Sequence, residues 1–190
     1  MADLMIHPLC ALGGATAETH LIAGLTIAEN PGVAMASVAA RQGQDKAVAK
    51  AIKALAGLDL PGPGGMATAG DWAAFWLGPG QWMLTAPFAS HEDIARIAKE
   101  AVGAAGSVTE QSDAWVRLEV SGPRICDMLE RLCNADVRRM QAGQATRCQV
   151  EHLGTLLLCH QPGAAFSLLT LRSAARSMMH ALVTAAKSLP

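Results

Sequence analysis

The chain has 190 residues, 51% of them apolar and 16% charged, which is enough for one large or two small cores and excludes a disordered chain. A formal net charge of −1 with pI near 6.6 leaves no basic footprint, so nucleic acid is not an expected partner. Mean hydropathy is +0.25, so some apolar surface is available to a protein partner, although an alanine-rich soluble protein has the same value.

The start, Met1 to Pro8, lacks the charged region and long apolar core of a secretion signal, and no apolar run approaches a membrane span. Five cysteines without paired spacing fit a reducing cytoplasm, with the thiols reduced and free of metal. Residues 1–30 show weak periodicity and read as an irregular arm. Val33 to Ala40 reads as a strand, and Lys46 to Ala56 as a helix with Ala47, Ala51, Ile52 and Leu55 inward.

Leu60 to Gly70 is a loop rich in glycine and proline. It lacks the lysine and hydroxyl of a P-loop and the spacing of a dinucleotide fingerprint, which argues against phosphate binding. Trp72 to Ala86 reads as two strands around Gly78-Pro79-Gly80, where proline then glycine suit the centre of a type II turn. Trp72 and Trp76 share one face of the first strand, and Trp82 and Leu84 one face of the second. Three tryptophans on one hairpin form either one heavy core layer or one interface, because tryptophan serves both. Ser90 is expected to cap a helix bearing Ile94, Ile97, Ala101 and Val102, and Gly106 to Gln111 to return as a strand.

Trp115 to Val120 alternates apolar and charged residues as a half-buried strand does. Ser121-Gly122-Pro123 ends it and opens a helix whose stripe is Ile125, Met128, Leu129, Leu132 and Cys133. Two hairpins follow, with turns at Leu153-Gly154 and Gln161-Pro162-Gly163, and Ser173 is expected to cap the last helix. With the first turn tight, Cys148 would face Cys159 and Val150 would face Leu157. Cys148, Cys159 and His152 are then the nearest approach to a metal site, and packed thiols beside a rim histidine are the plainer account.

Each half thus reads strand, helix, hairpin with a Pro-Gly turn, then helix. The expected fold class is α+β: two similar ferredoxin-like units, each an antiparallel sheet with helices on one face, packed together. Their bounds are 31–111 and 112–190, after the arm. No helical His pair with a ligand, Cys-x-x-Cys or Gly-x-Ser-x-Gly elbow occurs, so no catalytic, cofactor or metal residue is assigned in this chain. Arg172 beside a helix N-terminus offers either an anion contact or a salt bridge.

Trp76-Leu-Gly-Pro-Gly-Gln-Trp-Met-Leu84, Arg117-Leu-Glu-Val-Ser-Gly-Pro123, Leu129-Glu-Arg-Leu-Cys-Asn-Ala-Asp136 and Leu171-Arg-Ser-Ala-Ala-Arg176, in this order, resemble the gamma subunit of heterotetrameric sarcosine oxidase. The resemblance spans about residues 30–188. It implies a cytoplasmic flavoenzyme that oxidises sarcosine to glycine, formaldehyde and hydrogen peroxide. It also implies alpha, beta and delta subunits as partners, which hold FAD, FMN, NAD, the tetrahydrofolate site and zinc. The implied fold is that of folate-binding aminomethyltransferases. Those enzymes carry an acidic residue in a hairpin, and neither Trp72–Ala86 nor Leu156–Leu171 contains an acid. A similar small subunit serves N-methylglutamate dehydrogenases, and a free-standing folate-binding protein is the alternative of another class. Trp72, Trp76, Trp82 and Arg172 are the candidate interface residues.

Overall fold

Two antiparallel sheets lie back to back, each with helices on its outer face, in the computed structural model, which describes residues 7–190. The reading of the chain start as free of a leader falls largely on residues 1–6, outside those described. The chain opens with β1 (Thr19–Ile22) and β2 (Leu25–Glu29), joined by Ala23-Gly24 with both residues at positive φ. That is the backbone of a two-residue type I′ hairpin, whose twist matches that of the strands.

The first unit runs β3 (Val33–Ala40), α1 (Asp45–Ala56), β4 (Met66–Ala69), β5 (Trp72–Gly78), β6 (Gln81–Pro87), the single turn α2 (Phe88–His91), α3 (Ile94–Val102) and β7 (Gly106–Glu110). The second runs β8 (Trp115–Ser121), α4 (Ile125–Leu129), β9 (Gln144–Val150), β10 (Leu153–Gln161), β11 (Ala165–Leu171) and α5 (Ala175–Lys187). Strand order is β4-β5-β6-β3-β7 in one sheet and β1-β2-β8-β11-β10-β9 in the other. The block β4-β5-β6-β3 repeats as β9-β10-β11-β8, so the internal repeat read from the Pro-Gly turns is a repeat of topology. What differs is the strand beside β3 and its counterpart β8: β7 fills that place in the first unit, and β2 fills it in the second.

The expected irregular arm is therefore corrected. Residues 19–29 are strands, because Leu25 and Ile27 alternate inward from β2 onto the core under α5, and β8 offers a free edge. Glu29 anchors the preceding segment by accepting the Leu12 and Glu18 amides at 3.1 and 3.4 Å.

Alternation builds three apolar layers. Val48, Ile52 and Ala56 of α1 and Ile94, Ala98 and Val102 of α3 pack on Ala34, Ala36, Val38, Ala74 and Leu84. Ile52, Ile94 and Val102 face inward as expected, while Val48 and Ala98 take the buried places expected of Ala47 and Ile97, one position away. In the middle, Met35, Phe75 and Met83 of the first sheet meet Ala145, Leu156, Leu158 and Leu169 of the second. On the far side, Val116, Leu118, Val120, Leu157, Phe166 and Leu168 pack under α4 and α5.

Four local expectations are also corrected. α4 ends at Leu129 instead of running to Cys133, because the Leu132 carbonyl accepts the Glu151 amide and Cys133 pairs with Val150. Ser90 does not cap α3: its hydroxyl approaches the Pro87 carbonyl and His91 Nδ1, and α3 begins only after Asp93. Ser173 sits inside a 3-10 turn ahead of α5 and makes no cap. Finally, the β9–β10 turn is Glu151-His152, with Glu151 at φ +53°, so Cys148 opposes Thr155 and Cys159 opposes Gln144. The pairing of Cys148 with Cys159 is lost by that shift of register.

Candidate functional site

The tryptophan hairpin faces the helices. Trp76 and Trp82 are cross-strand partners, and Trp72 meets His91 edge to face at 4.8 Å between ring centroids. Trp82 is only 8% exposed, and its indole N–H donates to the Pro61 carbonyl at 2.8 Å. Trp72 and Trp76 pack at the border of the same core and are half-buried. The opposite hairpin face, Phe75 and Met83, is closed by the second sheet, so the hairpin presents no face of large side chains freely outward.

The glycine-rich loop before β4 spends its backbone on its neighbours. Gly64 accepts the Ala145 amide, Gly65 accepts the Trp76 amide, and Met66 donates to Gly143. The loop thus straps the two sheets together, and its groups are not gathered around a phosphate.

Arg172 comes to a cleft of about 300 Å³ at the junction of the sheets, lined among others by Leu9, Met35, Phe88, Trp115 and Arg117. Its guanidinium donates to the Leu9 carbonyl at 2.6 Å and stands 3.5 Å from Asp113. Arg172 thus forms an ion pair, one of the two contacts open from sequence. The rim is apolar: among the described residues the exposed large hydrophobics are Leu9, Leu21, Phe88 and Leu171, at 54, 79, 38 and 55% exposure. Leu9 and Phe88 line the cleft, and Leu171 adjoins Arg172 in the chain and pairs with Trp115. Two of the four therefore meet at the cleft, with Leu171 next in the chain to its Arg172, which sequence reasoning missed because they come from distant segments.

A polar cluster also escaped the sequence. Ser167, with no exposed surface, donates to Glu119 Oε2 at 2.5 Å, and His160 Nε2 lies 2.5 Å from the same hydroxyl. Arg117 Nε and Asn30 Nδ2 donate to Glu119 Oε1 at 2.5 and 3.2 Å. Burial would raise the Glu119 carboxyl, but Arg117 and the hydrogen bonds from Ser167, Asn30 and Arg117 hold it below the usual carboxylate range. Partial burial of the ring, then the Arg117 charge, lowers His160 against the pull of Glu119. The serine lies between acid and imidazole, whereas an acyl-transfer triad needs the imidazole between acid and an accessible serine. This cluster ties β8, β10 and β11 together, with Ser167 buried and His160 exposed.

Among the described residues, no three His, Cys, Asp or Glu side chains stand together as a metal site. Cys126 and Cys159 are buried, and burial pushes both thiols up. Cys133 and Cys148 are half-buried, and both pack at the edge of the same core. A hydrogen bond from Cys148, opposed by burial and aided by the Ala135 amide, pulls Cys133 down to about 6, and the shared proton pushes Cys148 up. No described helix is long and apolar enough to cross a membrane.

Comparison with known proteins agrees with this architecture. Among solved structures, the chain is similar to heterotetrameric sarcosine oxidase from Corynebacterium sp. U-96 in complex with pyrrole 2-carboxylate. The TM-score is 0.75 at 23% identity, over 91% of this chain and 90% of that one. It is also similar to glycine cleavage system aminomethyltransferase T from Bartonella henselae, at TM-score 0.62 and 13% identity, over 82% of this chain and 44% of that one. These two likenesses establish an α+β, aminomethyltransferase-like fold. A comparison with curated proteins finds no matching sequence. The sarcosine oxidase, gamma subunit family matches residues 40–185, and on that match this chain is a member of the family.

Proposed function

We propose that this chain is a non-catalytic gamma subunit of a flavin-dependent sarcosine oxidase that converts sarcosine to glycine, formaldehyde and hydrogen peroxide. Its role is to stabilise the larger subunits. FAD, FMN, NAD, tetrahydrofolate and zinc belong in this reading to the alpha, beta and delta partners, and the assembly is cytoplasmic. The observation that carries it is the pair of exposed apolar side chains, Leu9 and Phe88, on the cleft at the sheet junction, with exposed Leu171 next in the chain to Arg172 of that cleft. Exposed apolar side chains collected on an otherwise well-buried chain mark a protein contact, and such contacts draw their energy from a few large residues. Family membership supports an oxidase complex as the place where that contact is made. The hairpins without acids and the buried Ser167 support a role outside the chemistry.

Leu171→Asp and Phe88→Asp variants test the reading when produced with the other oxidase subunits. Loss of the chain from the purified complex, with its own melting curve unchanged, is expected. Normal assembly of both variants, or sarcosine-dependent peroxide production by the isolated wild-type chain, would overturn it.

A further inference from the structure

We propose that Cys133 and Cys148 form a reversible oxidation site in which a hydroperoxide converts the two thiols into a disulfide.

The geometry comes from the pairing that cuts α4 short. Cys133 opposes Val150 in an isolated antiparallel bridge, and Cys148 lies two residues back on β9, on the same face as Val150. It is therefore the diagonal neighbour of Cys133, a position from which side chains reach one another. Both side chains pack, half-buried, at the border of the same apolar cluster. Cys133 also lines an open cleft of about 390 Å³ with Glu130, Arg131, Asn134, Gln149 and Glu151, so a small oxidant reaches it from solvent. Cys148 first, and the Ala135 backbone in the same direction, lower the Cys133 thiol against burial and so favour its thiolate.

That combination is what a peroxide-reactive cysteine requires: an ionised, reachable sulfur with a second thiol beside it. Cys126 and Cys159 lack it, being buried.

The chemistry balances with hydrogen peroxide. The Cys133 thiolate attacks one peroxide oxygen, the O–O bond breaks, and the other oxygen leaves as water after taking a proton. Cys133 is now a sulfenic acid. The Cys148 sulfur attacks it, an S–S bond forms, and the hydroxyl leaves as a second water with the Cys148 proton. Two thiols have lost two electrons and the peroxide has gained them.

The test uses the full-length chain, first fully reduced and then exposed to a modest excess of hydrogen peroxide. Two of its five thiols should disappear, digestion without reductant should yield one linked pair carrying Cys133 and Cys148, and dithiothreitol should restore all five. In Cys148→Ser the linked pair should vanish while Cys133 accumulates as a sulfenic acid trapped by dimedone. Cys133 should also alkylate at least about tenfold faster than Cys126 or Cys159. The wild-type map alone can overturn the proposal. Five thiols left after treatment, a linked pair containing another cysteine, or Cys133 recovered only as sulfinic acid would each do so.

Discussion

Truncating Trp82 to alanine separates core from contact surface on the tryptophan hairpin. Only 8% of Trp82 is exposed, and it fills the space between β6 and the helices α1 and α3. Removing a buried tryptophan costs roughly 3–5 kcal/mol, combining lost transfer energy with the cavity left behind. The indole N–H bond to the Pro61 carbonyl adds about 1 kcal/mol net, and its loss frees the strap between the sheets. A total of about 4–6 kcal/mol is a large part of the ~5–15 kcal/mol that holds a typical domain. At about 2–4 °C per kcal/mol for a chain of this size, the melting point should fall by ~8–24 °C. Urea unfolding of the purified chain, followed by far-UV circular dichroism so that the lost fluorophore does not matter, gives the free energy directly. Trp72→Ala and Trp76→Ala, at half-buried sites, should each cost less. A Trp82→Ala chain within about 1 kcal/mol of wild type would refute this account of the core.

Other perturbations have definite outcomes. Gly122 has φ +135°, and a Cβ there would stand 2.4 Å from the Gly24 carbonyl oxygen, so Gly122→Ala should cost ~2 kcal/mol or more and loosen β1–β2 from β8, read as faster amide exchange in β2. Ala23 at φ +49° opens the β1–β2 turn, so Ala23→Asn should stabilise the chain by about 0.5 kcal/mol, and a lower melting point would show the turn misjudged. Glu119 is held below the usual carboxylate range and His160 below the usual imidazole range, so folding is favoured while the first is charged and the second neutral. Stability should therefore fall first as pH drops below the free histidine value of about 6.5, and again below the free carboxylate value of about 4.3. His160→Gln should flatten the first limb and Glu119→Gln the second; unchanged slopes in urea titrations at several pH values would contradict the cluster's role.

The parts legible in the sequence were those governed by local pattern. Trp115 to Val120 alternates cleanly, and both Pro-Gly turns have glycine where φ turns positive, at Gly80 and Gly163. The α+β class followed from those elements. What failed depended on distant partners. β2 is too short to announce itself and is held by β8, while α4 is truncated by Val150 on a strand still to come. The Glu151-His152 turn carries no glycine, so nothing local marked it or the register it sets. The candidate site was the least legible part. Leu9, Phe88 and Leu171 look unremarkable singly, and Ser167, His160 and Glu119 meet only because three strands pair in one register.

The exchange of β2 for the strand that β7 supplies in the other unit has a consequence for biosynthesis. The five-stranded unit is an insertion within a discontinuous one, and it can close while the ribosome is still making β8. Until then β1 and β2 wait as an unpaired hairpin with a free edge and with Leu25 and Ile27 in water. Such an edge is a template for pairing between nascent chains. The hazard ends only when β8 emerges, so completion of the six-stranded sheet is a late, non-local event. Slow translation just before β8, or a chain truncated there, should raise the aggregated fraction more than a pause after β8 has paired with β2.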